Sequence, residues 1–190
     1  MKIIPLLVSA VVTIGLVVVL NTRIGPAPAF GKFLSPQHGF WQNAENANHN
    51  FNDEIILPQL KSNSSVYLDE RLVPHITTDN DADAYFIQGY LHAKFRLWQM
   101  EFTTHAAAGR VSQIIGEKAI NFDKEQRRIG MVYAAEKMVK EIEANEFTKL
   151  EVDQYTAGVN TYIESITKSE LPIEYKLLGY EPEKWTILKT

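Results

Sequence analysis

Between residues 81 and 116, apolar and small side chains recur at steps of three and four: Phe86, Tyr90, Ala93, Leu97, Met100, Thr104, Ala108, Val111 and Ile115. That spacing lays them on one stripe of a helix. It predicts a long amphipathic helix, a break at Gly109 and a short helix closed by Gly116, with the glycines turning the chain back on itself. A stripe of this kind needs a facing surface, so the segment belongs to a packed core. A third helix is expected from Asp123, with its carboxylate as cap and Gln126 in capping-box position, to about Glu143. A fourth is expected from Thr148, boxed by Glu151, to about Thr167, burying Val152, Tyr155, Val159, Tyr162 or Ile163, and Ile166. Upstream the period shortens. Val66–Leu68 and Val73–Ile76 read as two strands around an Asp69-Glu70-Arg71 turn. Pro74 lacks a ladder donor, which suits a strand edge. Ile55-Ile56-Leu57 reads as a further short strand before Pro58, and the polar run from Thr77 to Asp83 caps the long helix.

The N-terminus has a different pattern. After Lys2, an apolar run from Ile3 to Leu20 is interrupted only by Pro5, Ser9, Thr13 and Gly15. It is long for the apolar part of a secretory signal and just long enough to span a bilayer. Ala27-Pro28-Ala29 offers a small-x-small cleavage site beyond it. A cleaved signal peptide and an uncleaved anchor both stay open, and either exports the rest of the chain. Residues 21–61 are rich in Pro, Gly, Asn and Ala; the stretch from Asn43 to Asn50 has no periodicity and reads as a loop. Phe40-Trp41, just before it, are apolar enough to dock on something.

Composition removes several function classes. The 190 residues include no cysteine, which excludes disulfides, thiolate metal sites and a cysteine nucleophile. The formal net charge is −4 at pH 7 and no basic stripe stands out, so nucleic acid is not an expected partner. Asp79, Asp81 and Asp83 alternate like the start of a calcium loop, but Ala84 and Tyr90 stand where such a loop needs glycine and a bidentate Glu. They read instead as acids at a helix N-terminus. Glu101 and His105 share a helix face four residues apart, and His92 is too far along for a zinc-protease pair; the expectation is an exposed or half-buried i,i+4 pair. His75, after a proline at a strand end, reads as a structural hydrogen-bonding residue. Arg96, Arg110, Arg127 and Arg128 are candidates for buried ion pairs with Glu101 and Asp123 that tie helices together, or for holding a substrate carboxylate. Ser62, Ser64, Ser65 and Ser112 lack the sequence context of an activated nucleophile. Asn63-Ser64-Ser65 matches a glycosylation sequon in form only.

The wording of the long helix and its surroundings adds more. Pro74-His75-Ile76, Asp83-Ala84, Gln88-Gly89-Tyr90, Arg96-Leu97-Trp98-Gln99-Met100-Glu101 and Ala108-Gly109-Arg110-Val111-Ser112 are together similar to the amino-terminal part of the A chain in the penicillin acylase family. The tail from Leu171-Pro172 to Trp185 fits the same family's pattern, as does Gly39 to Glu45. The resemblance covers roughly residues 39–188. At the hairpin Leu68 and Leu72 replace the arginine and glycine usual in the family; the leucine at 72 argues against a glycine-type turn with positive φ, not against the hairpin.

The resemblance implies an exported amidohydrolase of the N-terminal nucleophile type with a four-layer αββα fold. Its precursor cuts itself and exposes a serine at the start of a B chain; that serine's own α-amino group is the base, and backbone and asparagine donors hold the oxyanion. A small-molecule amide, such as the acyl side chain of a β-lactam, is the implied substrate, with an acyl-homoserine lactone as the alternative. From another class, a membrane-anchored helical binding module without chemistry is the competing reading. The fold class expected here is α+β, mostly helical with a small β-hairpin. Residues 1–29 are the signal or anchor, 30–61 an irregular linker, and 62–190 the front part of the A chain. Family members are several times longer and the chain stops at Trp185–Thr190 without a cap or polar tail, so it is expected to be a piece that cannot bury all its stripes alone. The B chain from the same precursor is the expected partner, with a membrane contact through residues 3–20. The family's acyl-pocket positions and A-chain calcium ligand fall after the Trp185 region. No catalytic, substrate-binding or metal residue is therefore carried onto these positions. No cofactor is expected here, and calcium only in the full-length enzyme.

Overall fold

The computed structural model describes residues 3–24, 27–44, 52 and 54–190. Most of the expected Asn43–Asn50 loop, from Glu45 on, lies outside the described residues, as does Lys2. The chain divides into two compact units, residues 1–49 with 167–180, and residues 50–166 with 181–190.

In the first unit the apolar run forms helix α1 (Ile3–Asn21), 19 residues long and buried nowhere within the chain. By length and composition it can cross a membrane. A short helix α2 (Gly31–Leu34) and a single π-helical turn (Pro36–Phe40) follow. The wide turn closes on one carbonyl, Ser35 O, which accepts from the N–H groups of Gly39 and Phe40 at 2.9 and 2.7 Å. Gly39 is buried where the turn meets α2; a Cβ there would stand 1.9 Å from Lys32 O. The other part of this unit holds the helix Ile173–Leu178, entered through Pro172 and ended by Gly179. Lys176 Nζ donates to Asn43 O at 3.2 Å and Ser169 O at 2.7 Å, beside a cavity of about 400 Å³ lined by Phe33, Asn43, Ile173 and Lys176.

The second unit opens with the expected hairpin. Strands β1 (Ser65–Leu68) and β2 (Pro74–Thr77) pair antiparallel, with Val66 opposite Ile76 and Leu68 opposite Pro74. Asp69 organises the connection: its Oδ1 accepts from the N–H groups of Arg71 and Val73, both at 2.9 Å. The Val73 N–H foremost holds this carboxyl below the usual carboxylate range. The expectation at Leu72 is corrected. Its φ is 60°, the left-handed value, although no glycine is present. The Asp69 bonds to Arg71 and Val73, with the Leu72 N–H on Asp69 O at 2.9 Å, close the loop tightly around residue 72. An L-residue with a Cβ costs about 1–2 kcal/mol in that region, whereas glycine there loses only part of this to chain entropy. Leu72→Gly is therefore expected to raise stability by about 0.5–1 kcal/mol in chemical denaturation. A midpoint that stays put or drops would mean Leu72 is not strained. The stretch Ile55-Ile56-Leu57 is not a strand; Leu57 and Leu60 instead pack on a cluster of Ile87, Tyr90 and Leu91, with Ile76 and Tyr162.

The long helix α3 (Asp81–Ala107) is capped by Asn80, whose Oδ1 accepts the N–H of Asp83 at 2.9 Å. Phe86, Tyr90, Ala93 and Leu97 are buried as expected. Arg96 has non-helical dihedrals (φ −143°, ψ 22°) and the helix kinks there. The buried line nevertheless continues at steps of four from Ala93 and Leu97. Beyond the kink it runs through Glu101 and His105, while Met100 and Thr104 are half-buried. A left-handed Gly109 then turns the chain into α4 (Ser112–Ile115), where Ile114 is buried and Ile115 is exposed, the reverse of the expectation.

The single helix expected from Asp123 to Glu143 is two: α5 (Ile120–Ile129) and α6 (Met131–Glu143), separated by Gly130 in the left-handed conformation. Asp123 lies inside α5 and does not cap it. Its carboxylate reaches back to the N–H groups of Val111 and Ser112, both at 2.8 Å, and so caps α4 across the turn. The last long helix, α7 (Glu146–Ser165), starts earlier than expected because Asn145 caps it, accepting from the N–H groups of Phe147 and Thr148 at 3.1 Å. Its contact with α3 is the centre of the unit. Val159 is fully buried, and the rest of the expected stripe is half-buried. At the crossing, a Cβ on Gly158 would lie 1.9 Å from Phe86 O, and one on Gly89 would lie 2.1 Å from Tyr155 O. Two glycines facing two backbones let the helix axes approach more closely than any side chain would permit. Tyr85 OH donates to Glu151 Oε1, and Tyr90 packs edge-on against Tyr162, on the same interface.

Candidate functional site

Polar groups converge most densely where the end of α3 meets the segment 181–190. Glu101 and His105 are 1% and 3% exposed, which corrects the expectation of an exposed or half-buried i,i+4 pair. The His105 ring is fixed by Nδ1, which lies 3.0 Å from the Glu101 backbone carbonyl and donates to it. Glu101 Oε1 accepts the Glu183 N–H at 2.7 Å. The Glu183 carboxylate then lies 3.7 Å from His105 Nε2 and takes a two-pronged bond from Arg110, 3.2 Å for the Nη1 arm. Lys189 Nζ adds a third contact to it at 2.9 Å. Arg110 first, and Lys189 after burial has pushed the other way, hold the Glu183 carboxyl down to about 2.

Glu101, His105 and Glu183 offer ligand atoms within 4.8 Å of one another, the spacing of a metal trio. The chemistry argues against that use. Glu183 already faces two cations, Arg110 and Lys189, which would repel an ion, and Glu101 spends an oxygen on a backbone N–H. Calcium, which seeks six to eight oxygens, does not fit a site with an imidazole and two cations. The cluster reads as a lock on the segment 181–190. Beside it Trp185 is buried, and the Asn160 amide pairs with its backbone in both directions, at 2.8 and 3.0 Å. Because the folded carboxyl of Glu183 titrates below its ordinary 4.5, its contribution to stability is complete above that pH and lost as pH falls through about 2. Arg110→Gln is expected to lower the melting temperature near neutral pH, and the gap to the parent should narrow steadily from about pH 4.5 to 2. A gap that stays constant across that window would show that Glu183 does not titrate against Arg110.

The other candidates are dispersed. Asp79 and Asp81 are exposed. Asp83 is buried and its carboxylate is filled by four donors: Lys61 N–H, Ser62 N–H, Ser62 Oγ and Asn80 Nδ2, at 2.8–3.1 Å. Burial pushes this carboxyl up, but those bonds outweigh it and hold it below the usual range. It fastens the strand-bearing segment to α3 and offers no open face to an ion. Ser62 is thereby a structural donor, and Ser112 a capped N–H. His75 Nε2 sits 3.5 Å from Asp69 at the exposed hairpin end, as a structural partner. His92 Nδ1 lies 3.0 Å from Tyr155 OH, and partial burial, then Arg96, lowers its pKa. Of the four arginines, Arg110 pairs with the part-buried Glu183, a partner the sequence did not indicate, and the charge of Arg127 acts on the buried Asp123, one of the carboxylates expected for it. Arg127 Nε donates to Gly109 O at 2.9 Å, and Arg128 makes an exposed 3.7 Å pair with Glu125. Sequence reasoning missed Glu183, Lys189, Asn160 and Asn145. The Asn-Glu pair at 145–146 was a legible cap signal; the others carry none, since their partners lie on distant elements.

The chain is similar to known proteins. The family model for penicillin amidase matches residues 63–190. Penicillin acylase 2 proenzyme of Pseudomonas sp. (strain SE83) is 39% identical over 131 residues, 69% of this chain and 16% of that protein. An acyl-homoserine lactone acylase, QuiP of Pseudomonas aeruginosa, is 32% identical over 126 residues, 66% of this chain and 14% of that protein. The solved structure of a thermostable penicillin G acylase from Alcaligenes faecalis matches with a TM-score of 0.59 at 24% identity, covering 67% of each chain. The chain thus spans 14–16% of the length of these curated relatives. Its mostly helical α+β architecture, with one antiparallel hairpin among the described residues, matches the fold of part of that penicillin G acylase. With the family model covering all of the second unit from Asn63 on, the chain belongs to the penicillin amidase family.

Proposed function

We propose that this chain is the leading part of the A chain of an exported amide hydrolase of the penicillin acylase type, which removes the acyl group from a small-molecule amide such as a β-lactam. The observation that carries the reading is the 39% identity to a penicillin acylase proenzyme over 131 residues, with the family model matching residues 63–190, which hold α3, α7 and the Trp185 segment. Residues 1–29 serve export and residues 30–61 link the leader to the domain that begins near residue 62. The catalytic group in this reading is the N-terminal serine of a B chain cut from the same precursor. Its α-amino group takes the hydroxyl proton as the oxygen attacks the amide carbonyl, and fixed donors hold the resulting oxyanion. The described serines lack this equipment, and the segment's part is to position: the part-buried network around Glu101 and Glu183 fixes the Trp185 segment. Calcium in the full-length enzyme would take its ligands elsewhere, because the buried carboxylates of Asp83, Glu101 and Asp123 accept N–H donors and that of Glu183 faces Arg110 and Lys189. Acyl-homoserine lactone acylase is the second reading, favoured by 30–32% identity to such acylases from several Pseudomonas species.

The test is to express the coding region that contains this sequence with what lies downstream of it, beside the 190-residue chain alone. The long product should mature into two chains and release acyl groups from a phenylacetyl chromogenic amide or a long-chain acyl-homoserine lactone. The 190-residue chain should release none above a heat-treated control. Cleavage of the lactone alone selects the second reading. Activity of the short chain, or a long product that never exposes an N-terminal nucleophile, overturns both. A reporter fused after Lys61 should work only outside the cytoplasm.

A further inference from the structure

We propose that the first unit is a membrane-interface module: α1 stays attached as an anchor, and the residues just after it form an aromatic collar seated in the lipid headgroup layer on the outer side. This deepens the export reading of residues 3–20 and does not depend on the acylase reading. At about 1.5 Å per residue, α1 spans roughly the 30 Å of a bilayer's hydrocarbon core. None of its residues is buried within the chain, so lipid is the medium that suits it. The chain returns at once to the end of this helix. A Cβ on Gly31, the first residue of α2, would lie 2.5 Å from the Asn21 side chain, so α2 starts at the level where α1 leaves the apolar core. What the chain presents there is apolar and aromatic. Trp41 is 74% exposed, Ile24 59%, Phe40 53% and Leu34 45%, with Phe30 also exposed. Phe40 and Trp41 meet edge to face at 5.4 Å. Such amphipathic rings concentrate at the boundary between acyl chains and headgroups. The charge pattern is complementary to an anionic surface: residues 1–44 contain Lys2, Arg23 and Lys32 and no Asp or Glu, in a chain whose net charge is −4. Arg23 and Lys32 are exposed beside the collar. The π-helical turn gives the collar its shape, since Gly39 lets it lie directly on the α2 backbone.

The chain has no cysteine of its own, so single cysteines can be introduced at Val12, Phe40, Trp41 and Lys94 and spin-labelled. Each full chain is reconstituted in vesicles of phosphatidylethanolamine and phosphatidylglycerol, and its collisions with oxygen, which partitions into lipid, and with a water-soluble nickel complex are compared. Labels at 40 and 41 should show several-fold less nickel access than the label at Lys94, at a depth shallower than Val12. Adding Gly39→Ala, whose methyl would collide with Lys32 O, should restore nickel access at 41 and leave Val12 buried. Three results would overturn the proposal: nickel access at 41 equal to that at Lys94 while Val12 is lipid-buried; protection of 41 that persists in detergent solution without lipid, which would indicate cover by protein; or an N-terminus at Phe30 in material isolated from cells, which would show that the anchor is removed. None of these readouts depends on amidase activity.

Discussion

Gly158→Ala is expected to be the most damaging single-atom addition in the described residues. The new methyl would meet Phe86 O at 1.9 Å, with Phe86 C and Tyr90 N both at 2.9 Å. All three are backbone atoms of α3, so no rotamer change relieves the collision; the two helices must separate. Separation opens the contact that buries Phe86 and Val159, adding lost packing to the strain. Overpacking of this kind costs about 1–3 kcal/mol, and a backbone-on-backbone clash belongs at or above the upper end. Gly89→Ala should act through the same separation, with its methyl 2.1 Å from Tyr155 O. Once one substitution has parted the helices, the second finds room, so the double variant should cost clearly less than the two added together. Gly130→Ala is the contrast. It has open space, and only its left-handed φ of 80° opposes the methyl, so its cost should be about 1–2 kcal/mol. Denaturant titrations of the four variants decide the matter. Strict additivity of the Gly89 and Gly158 changes would mean that the helices are not held at this distance by the pair.

Leu97→Ala should follow closely, at about 2–5 kcal/mol, because the side chain is 2% exposed and its removal leaves a cavity under the kink. Met100→Ala should cost less than Leu97→Ala, since Met100 is only half-buried beyond Arg96. Lys94→Ala, one residue off the buried line, should change little. Thermal melts of the three variants would refute the placement of the buried face if Lys94→Ala proved the most harmful. A loss at Met100 equal to that at Leu97 would instead show that Met100 is buried as fully as Leu97, as the expected stripe has it.

That last comparison marks where local pattern stops being sufficient. The alternation around residues 66–76, the three-and-four spacing of Phe86, Tyr90, Ala93 and Leu97, the breaks at Gly109 and Gly116 and the apolar run after Lys2 are encoded within a few residues of each feature. Hairpin, helices and a membrane-competent N-terminus were therefore legible in the sequence, and the wording around Arg96–Glu101 sufficed to indicate the family. Other features depend on groups far away in the chain. Glu101 and His105 look like a surface pair until Glu183 and Lys189, some eighty residues later, are brought against them. Asp123 looks like the cap of its own helix, but the unpaired N–H groups it satisfies belong to Val111 and Ser112. Gly89 and Gly158 weaken their helices locally, and only the α3–α7 crossing shows why a side chain at either would not fit. Leu72 takes a left-handed conformation that its own preference opposes because the Asp69 bonds close the loop around it. Local propensity set which segments are helix or strand; burial, ion pairing and backbone strain were set by tertiary contacts, because each is an energy between groups whose separation along the chain carries no periodic signal.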